Sequence, residues 1–470
     1  MSATATTEKK YLKWYQKLAY GSGDLASNCS YGLVSSFVLL YLTGTLGLDS
    51  AIIGSLMLAS KVLDGISDVI FGTLIDRTHS KLGKARPWML FGQVGVSLCL
   101  FLLFAIPAGS TTMQYIYFFI VYTALNAVFY TANGIAYSSL VALITKNNNE
   151  RVQLGSFRFM FAVVTNIFMG FAVTGMVEKF GSGAAGWRTT ALIFAIVGLV
   201  VNTISCLAVK ELPEEELSGN TSEAAEEGKA VAEEKKRGFA ETVKLLIHNK
   251  YYLMLLAIYI VYYIMSNLTT GAGVFCATYY WGDGSLLGQF SMMKMFPVII
   301  ALAIAPVLIK KTGSMQKVNF WGYAISSVLG IPMIYFAMQK NISMFLLFMF
   351  IKGIFAGTLS GSLNALIAEA SGYTTRTTGV HMDGMMYSCS SLGVKVGGGI
   401  GTAAVGWLLK LGGFVGTATV QSESAIRMIF NLYITFPFVI GIIITVLLAF
   451  LDVEKANKKW DAEHQKEAQA

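Results

Sequence analysis

Residues 61–88 read KVLDGISDVIFGTLIDRTHSKLGKARPW. The first half is apolar apart from Lys61, Asp64 and Asp68, and the stretch leading into it from Ala51 is apolar too. The three charges stand at i, i+3 and i+7 with Ser67 beside them, so they share one face of a helix. An ionisable side chain at the centre of a membrane helix costs about 2.5–3.5 kcal/mol even on the lenient insertion scale. Such a face has to look into a helix bundle and away from lipid. Asp76 and Arg77 then leave the apolar run and open a short basic loop punctuated by Gly and Pro.

The rest of the chain agrees with a membrane reading. Of its 470 residues 54% are hydrophobic and 13% charged, and the mean hydropathy is +0.59. A soluble domain carries about 25% charged residues. Apolar runs of about twenty residues recur, the length that crosses 30 Å of hydrocarbon as a helix. Only helices satisfy their backbone polar groups within one such segment, and 47 glycines suit close helix packing. The formal charge of +8 is explained by basic cytoplasmic loops and needs no nucleic acid. The N-terminal MSATATTEKKYLKWYQK is polar and basic, and is expected to carry no secretory signal. Cys29, Cys99, Cys206, Cys276 and Cys389 are singletons in apolar runs, expected to pack as small hydrophobes. The four histidines show no ligand spacing.

Twelve spans are expected: 18–46, 51–76, 87–107, 113–144, 152–178, 187–209, 250–280, 285–309, 316–338, 343–370, 384–410 and 426–451. One long polar segment separates the sixth from the seventh, with the composition of a solvated linker. Residues 239–248 within it read equally as a short interfacial helix or plain linker. The chain thus divides into a bundle over 1–210, a linker over 211–249, a bundle over 250–452 and a tail over 453–470. With the N-terminus inside, 25 of the 35 Lys and Arg fall on the cytoplasmic side. Five fall outside: Lys179, Arg188, Lys340, Lys410 and Arg427. Both termini are therefore expected in the cytoplasm of a cell whose plasma membrane the chain crosses. This is an all-α membrane protein: twelve transmembrane helices in two six-helix bundles, the plan of the major facilitator fold. Such folds bind cargo near the midplane and alternate access by rocking. Gly72, Asp76, Arg77, Gly83, Lys84 and Arg86 have the shape of that superfamily's loop after its second helix, although a plain positive-inside loop reads the same way.

Within the membrane, Lys61, Asp64 and Asp68 sum to −1 if all are ionised. One Na⁺ or H⁺ neutralises that, and carboxylate and hydroxyl oxygens suit either; a buried ion pair joining helices is the competing reading. The fourth span carries Asn126, Tyr130, Thr131, Asn133 and Tyr137, a mixture that serves sugar rings or interhelical hydrogen bonding. Arg158 lies one to two turns into the fifth span and either snorkels or faces a cavity. Lys395 is too deep in the eleventh to snorkel easily. Lys294 and Lys352 read as paired or snorkelling lysines.

Four stretches carry a resemblance: 17–28 (KLAYGSGDLASN), 61–88, 130–140 (YTANGIAYSSL) and 385–399 (MMYSCSSLGVKVGGG). They resemble the glycoside–pentoside–hexuronide:cation symporter family, the melibiose permease-like branch of the major facilitator superfamily, over nearly the whole chain. The resemblance implies a cation site at Asp64, Asp68, Ser67 and Thr131. It implies a sugar site with Arg158 and with Lys395, the lysine that links sugar and cation sites, and a polar pair upstream of it at Ser390 and Ser391. The family's galactoside carriers place aspartates where this chain has Asn28 and Gly134, and a tryptophan where it has Ser138. Galactosides are therefore not the expected cargo. A hexuronide is open, as is a neutral pentoside or glycoside read by Asp24 or Asn28, with Tyr130, Asn133, Gly134 and Tyr137 around it.

The expected activity is symport of such a sugar with Na⁺ or H⁺ by alternating access. No cofactor beyond that ion is expected, and no metal beyond Na⁺. The partners are the sugar, the coupling cation and the lipid bilayer. A facilitator moving lysolipid or another amphipathic cargo is the alternative. No nucleophile–base set, metal constellation or nucleotide motif points to an enzyme.

Overall fold

The computed structural model describes residues 9–213, 245–378, 383–418 and 420–467. Among them the chain is helical, with no strand. The long helices are α1 (Trp14–Thr45), α2 (Ser50–Asp76), α3 (Arg86–Leu103), α4 (Thr111–Ile144), α5 (Asn149–Lys179), α6 (Gly183–Leu207), α7 (Lys250–Tyr280), α8 (Leu286–Thr312), α9 (Met315–Met338), α10 (Ile342–Thr377), α11 (Met385–Leu411) and α12 (Glu423–Glu463). Eleven of them are long and apolar enough to cross a membrane; α2 is as long but carries Lys61, Asp64 and Asp68. The twelve follow the spans expected from sequence with ends moved by up to four residues, except that α10 runs seven residues past its expected end and α12 twelve. The tail forms a helix, Val453–Glu467, whose beginning α12 takes in. Most of the expected linker, and most of residues 239–248, lies outside the described residues.

The chain forms two compact units. Unit one comprises the described residues of Met1–Asn220, Ala277–Gly288 and Gly406–Ala425; unit two, those of Thr221–Cys276, Gln289–Val405 and Ile426–Ala470. Large apolar side chains cover the outside of the helices: Phe91 is 71% exposed, Val69 73% and Val328 66%. On a water-soluble protein such a surface would aggregate; on membrane helices it is the lipid contact. All five cysteines are buried and free.

Local rules set the helix starts. Asp49 caps α2, accepting from the Ala51 and Ile52 N–H groups at 2.9 and 3.4 Å. It also takes Lys410 Nζ at 2.6 Å, in the part of α11 that belongs to unit one. Asn147 and Asn249 cap the helices that begin beside them in the same way. α4 contains a π-helical stretch, Ala124–Tyr130, which ends one residue before Thr131. Such bulges re-aim the side chains that follow them.

One corner recurs in each unit. In unit one Glu211, just after α6, accepts from the backbone N–H of Lys84, Ala85 and Arg86 at 2.7, 3.0 and 3.0 Å. In unit two Glu454, just after the membrane part of α12, accepts from Met315 and Gln316 N–H at 2.7 and 3.3 Å and from the Ser314 hydroxyl. Each carboxylate thus closes the bare N-terminus of the third helix of its half, α3 or α9. Arg86 Nε then reaches the Cys206 carbonyl of α6, and Gln316 Nε2 the Leu448 carbonyl of α12. The sequence shows no strong repeat between halves; this corner is one.

Candidate functional site

The charged face of α2 is tied to α1 and α4. Lys61 Nζ lies 3.5 Å from Asp64 Oδ2 and 5.7 Å from the centre of the Tyr31 ring. Tyr31, on α1, stacks on Tyr130 of α4 with centroids 5.2 Å apart. The second carboxylate oxygen, Asp64 Oδ1, is 2.7 Å from the Thr131 hydroxyl. That hydroxyl is also 2.9 Å from the Asn126 carbonyl inside the π-helical stretch. It has a single proton. When Asp64 is ionised, Thr131 can donate to it; when Asp64 is protonated, the acid can donate to Thr131 and Thr131 to Asn126. The same atoms therefore serve both charge states of the carboxylate without rearrangement. Ser67 donates to the Asp64 backbone carbonyl at 2.9 Å, which leaves its lone pairs available. Asp68 is half-buried one turn further along the same face. All four groups offer hard oxygen donors, the set that a Na⁺ ion takes.

A second cluster joins α1, α4 and α5. Arg158 Nε donates to Asp24 Oδ2 at 2.6 Å, and its guanidinium sits 4.1 Å from the centre of the Tyr137 ring. Arg158 therefore faces inward. Tyr137 is itself held rigidly: its hydroxyl donates to the Tyr20 carbonyl at 2.8 Å, and Tyr20 returns a bond to the Tyr137 carbonyl at 2.5 Å. What Tyr137 presents is thus its ring face. Asn28 donates to the Asp24 carbonyl at 2.7 Å and accepts from Asn166 Nδ2 at 2.9 Å. A Cβ placed on Gly134 would meet nothing within 4 Å, so α4 leaves open space at that position. Tyr130 is half-buried on the same face.

The remaining expected residues lie elsewhere. Asn133 is buried, and its amide donates to the Met89 carbonyl at 2.7 Å and lies 3.4 Å from Asn202 Oδ1. It bonds α4 to α3 and α6. Ser390, Ser391 and Lys395 are on α11 in unit two, where Ser390 donates to the Tyr387 carbonyl at 2.8 Å and Lys395 is half-buried. Gly72 and Asp76 lie in the last turns of α2, which runs through Asp76, so the loop opens at Arg77 and not at Asp76; Asp76 and Arg77 are exposed, and Gly72 has open space around it. Lys84 and Arg86 act through their backbones on Glu211. Gly83 has φ +112°, and a Cβ there would run into the Glu211 carboxylate, so this position requires glycine twice over.

Sequence reasoning missed Asn166, Tyr31, Tyr20 and Glu211. Two of them had a signal. Tyr31 follows Asp24 and Asn28 at i+7 and i+3, and Asn166 follows Arg158 at i+8, each on one helix face. Glu211 had none, because its partners are about 125 residues upstream.

Comparison with known proteins gives the family and the fold. Residues 19–455 match the family described as "MFS/sugar transport protein". The isoprimeverose transporter of Lactiplantibacillus pentosus is 26% identical, over 98% of this chain and 93% of its own. The uncharacterized symporter YnaJ of Bacillus subtilis (strain 168) is 25% identical, over 95% and 92%. Among solved structures, a bacterial homologue of the human lysosomal transporter Spinster, inward-facing and unoccupied, superposes with a TM-score of 0.69 at 13% identity, over 95% of this chain and 98% of that one. That likeness shows the major facilitator fold.

Proposed function

Because the chain belongs to the MFS/sugar transport protein family, we propose that it imports a neutral pentoside or glycoside together with one cation bound on the charged face of α2. At the coarser level it is a multi-pass membrane protein and a sugar/cation symporter of the glycoside–pentoside–hexuronide:cation type, a transporter and not an enzyme. The observation that carries the finer reading is the pairing of Arg158 with Asp24 at 2.6 Å. A guanidinium already matched by a carboxylate of its own chain has no need of a hexuronide's acid group. It still has N–H donors to spare, and Asp24 has acceptor capacity, so the pair suits the alternating donors and acceptors of sugar hydroxyls. The stacked Tyr31 and Tyr130 offer an apolar platform for a ring face.

Coupling is assigned to Asp64. Na⁺ or H⁺ cancels the excess negative charge of the face formed by Lys61, Asp64 and Asp68, with Ser67 and Thr131 completing the shell. Lys61 rests on Tyr31, which stacks on Tyr130, so filling the cation site and ordering the sugar platform draw on contiguous groups. By linkage, cation raises sugar affinity and sugar raises cation affinity by the same factor. Both termini are assigned to the cytoplasm from the charge bias of the loops.

The test is uptake into inside-negative vesicles under imposed sodium or proton gradients, with labelled neutral pentosides, glycosides and hexuronides. Native protein should concentrate a neutral sugar under one of the two gradients. Asp64→Asn should abolish accumulation while retaining downhill exchange. Gradient-driven accumulation by Asp64→Asn would remove the coupling assignment; uptake restricted to hexuronides would remove the neutral-sugar assignment.

A further inference from the structure

Unit two holds two lysines that the coupling face does not use. A cavity of about 180 Å³ lies among α7, α8, α9, α10 and α12 of that unit. Its apolar wall includes Met293, Met349 and Phe345, and its polar side includes Thr269, Lys294 and Lys352. Lys294 is eight residues into α8 and Lys352 ten into α10, which puts each about 12–15 Å along its helix. Both are too deep to snorkel. Pairing is not realised either. Lys294 donates to the Thr269 and Thr270 hydroxyls, both at 3.3 Å, and among the described residues Lys352 has no hydrogen-bond or ion-pair partner.

The helices that carry them are locked together. A Cβ on Gly353 would come within 2.8 Å of Pro297 Cβ and 3.6 Å of the Met293 carbonyl, so the backbones next to the two lysines are in close contact. The positive charge is therefore held in place inside a low-dielectric cavity, and hydroxyls and methionine sulfurs supply no opposite charge. An anionic ligand would. The remaining wall is apolar, which disfavours a polyoxyanion with several oxygens to satisfy and favours a carboxylate on a hydrophobic body. A cavity of about 150 Å³ takes a benzene ring.

We infer that this cavity is a binding site for a small organic monocarboxylate, with its carboxylate on Lys294 and Lys352 and a body of about six carbons against Met293, Met349 and Phe345. The site lies within unit two and does not rest on the sugar reading.

The test is calorimetric titration of the full-length protein in nanodiscs of uncharged lipid, with benzoate, its neutral isostere benzamide, and a soluble short-chain phosphatidate. Benzoate should bind at one site per chain, and benzamide about tenfold or more weaker. Lys294→Gln and Lys352→Gln should each weaken benzoate about tenfold, the loss of one charge-assisted contact, while Lys352→Arg should retain it. Met349→Trp, which fills the cavity and keeps both lysines, should abolish binding, and serves if a lysine variant fails to fold. Absence of benzoate binding to the native protein overturns the assignment. So does binding that survives both glutamine substitutions, or phosphatidate binding in preference to benzoate, which would mark a lipid-headgroup site.

Discussion

The two units treat the cations on their long helices in opposite ways. In unit one Lys61 meets Asp64 at 3.5 Å, Arg158 meets Asp24 at 2.6 Å and Lys17 meets Glu150 at 3.0 Å. In unit two Lys294 faces hydroxyls, and Lys352 faces a cavity walled by methionine and phenylalanine. Removing a cation from water costs several kcal/mol in either place. Unit one offsets that cost with carboxylates from its own chain. Each of these cations is matched, and the face of α2 has Asp68 besides, so what unit one recognises next is a hydroxyl or a small cation. At Lys294 and Lys352 unit two leaves the cost standing, which is the condition for recognising an anion. The difference teaches that the count of charges in a membrane says less than where their counterions come from.

The sharpest way to break this contrast is to remove one counterion from unit one. Arg158→Gln leaves Asp24 in the membrane without its partner, and breaking a buried pair in this manner costs about 3–5 kcal/mol. Uptake should fall by at least about a hundredfold and the melting temperature should drop. The double variant Asp24→Asn/Arg158→Gln should recover part of the stability and none of the transport. Equal stability of the single and double variants would show that the pair was not strongly coupled.

A smaller effect is expected where the two units agree. Glu211→Gln and Glu454→Gln each weaken the cap on α3 or α9, at about 1–2 kcal/mol apiece. Thermal unfolding should show losses of similar size. A loss confined to one of the two would mean that the corner recurs in geometry and not in energetics.

The smallest effect lies at the surface. Burial alone would raise the Asp49 carboxyl, but Lys410 and the Ala51 and Ile52 N–H groups outweigh it and hold the group below the usual carboxylate range. A carboxyl whose folded pKa is depressed contributes stability above its unfolded value near 3.9, and that contribution is lost as pH falls through the folded value. Lys410 is well exposed, so solvent screens the pair and its effect is small. Melting curves of native protein and Asp49→Asn should differ slightly at neutral pH and converge in acid. A gap that widened in acid would contradict the sign.

Much of the fold could be read from the chain. All span limits but the ends of the tenth and twelfth come within four residues of the helices, because crossing length and apolarity are local. The face shared by Lys61, Asp64, Ser67 and Asp68 is legible from spacing alone. The polar residues of α4 are less so. A linear list gives Tyr130, Thr131, Asn133 and Tyr137 equal claim, yet Thr131 reaches Asp64, Tyr137 offers a ring to Arg158, and Asn133 bonds to Met89. The π-helical stretch just before Thr131 helps set that rotation, and periodicity at 3.6 residues cannot anticipate it. Lys294 and Lys352 had no reading as a cavity pair, since a missing counterion leaves no mark in a sequence.

By itself the sequence determined that this chain crosses a membrane as long apolar helices, twelve among the described residues. Backbone polar groups in lipid are satisfied within each helix, so those properties depend on neighbours a few residues away. Which polar groups meet was decided by tertiary structure alone. Asp64 and Thr131 are 67 residues apart, Asp24 and Arg158 are 134, and Lys294 and Thr269 are 25. Only the packing of whole helices brings such partners within 3 Å or so, and only that packing decides whether a buried charge finds a counterion in its own chain or waits for one from outside.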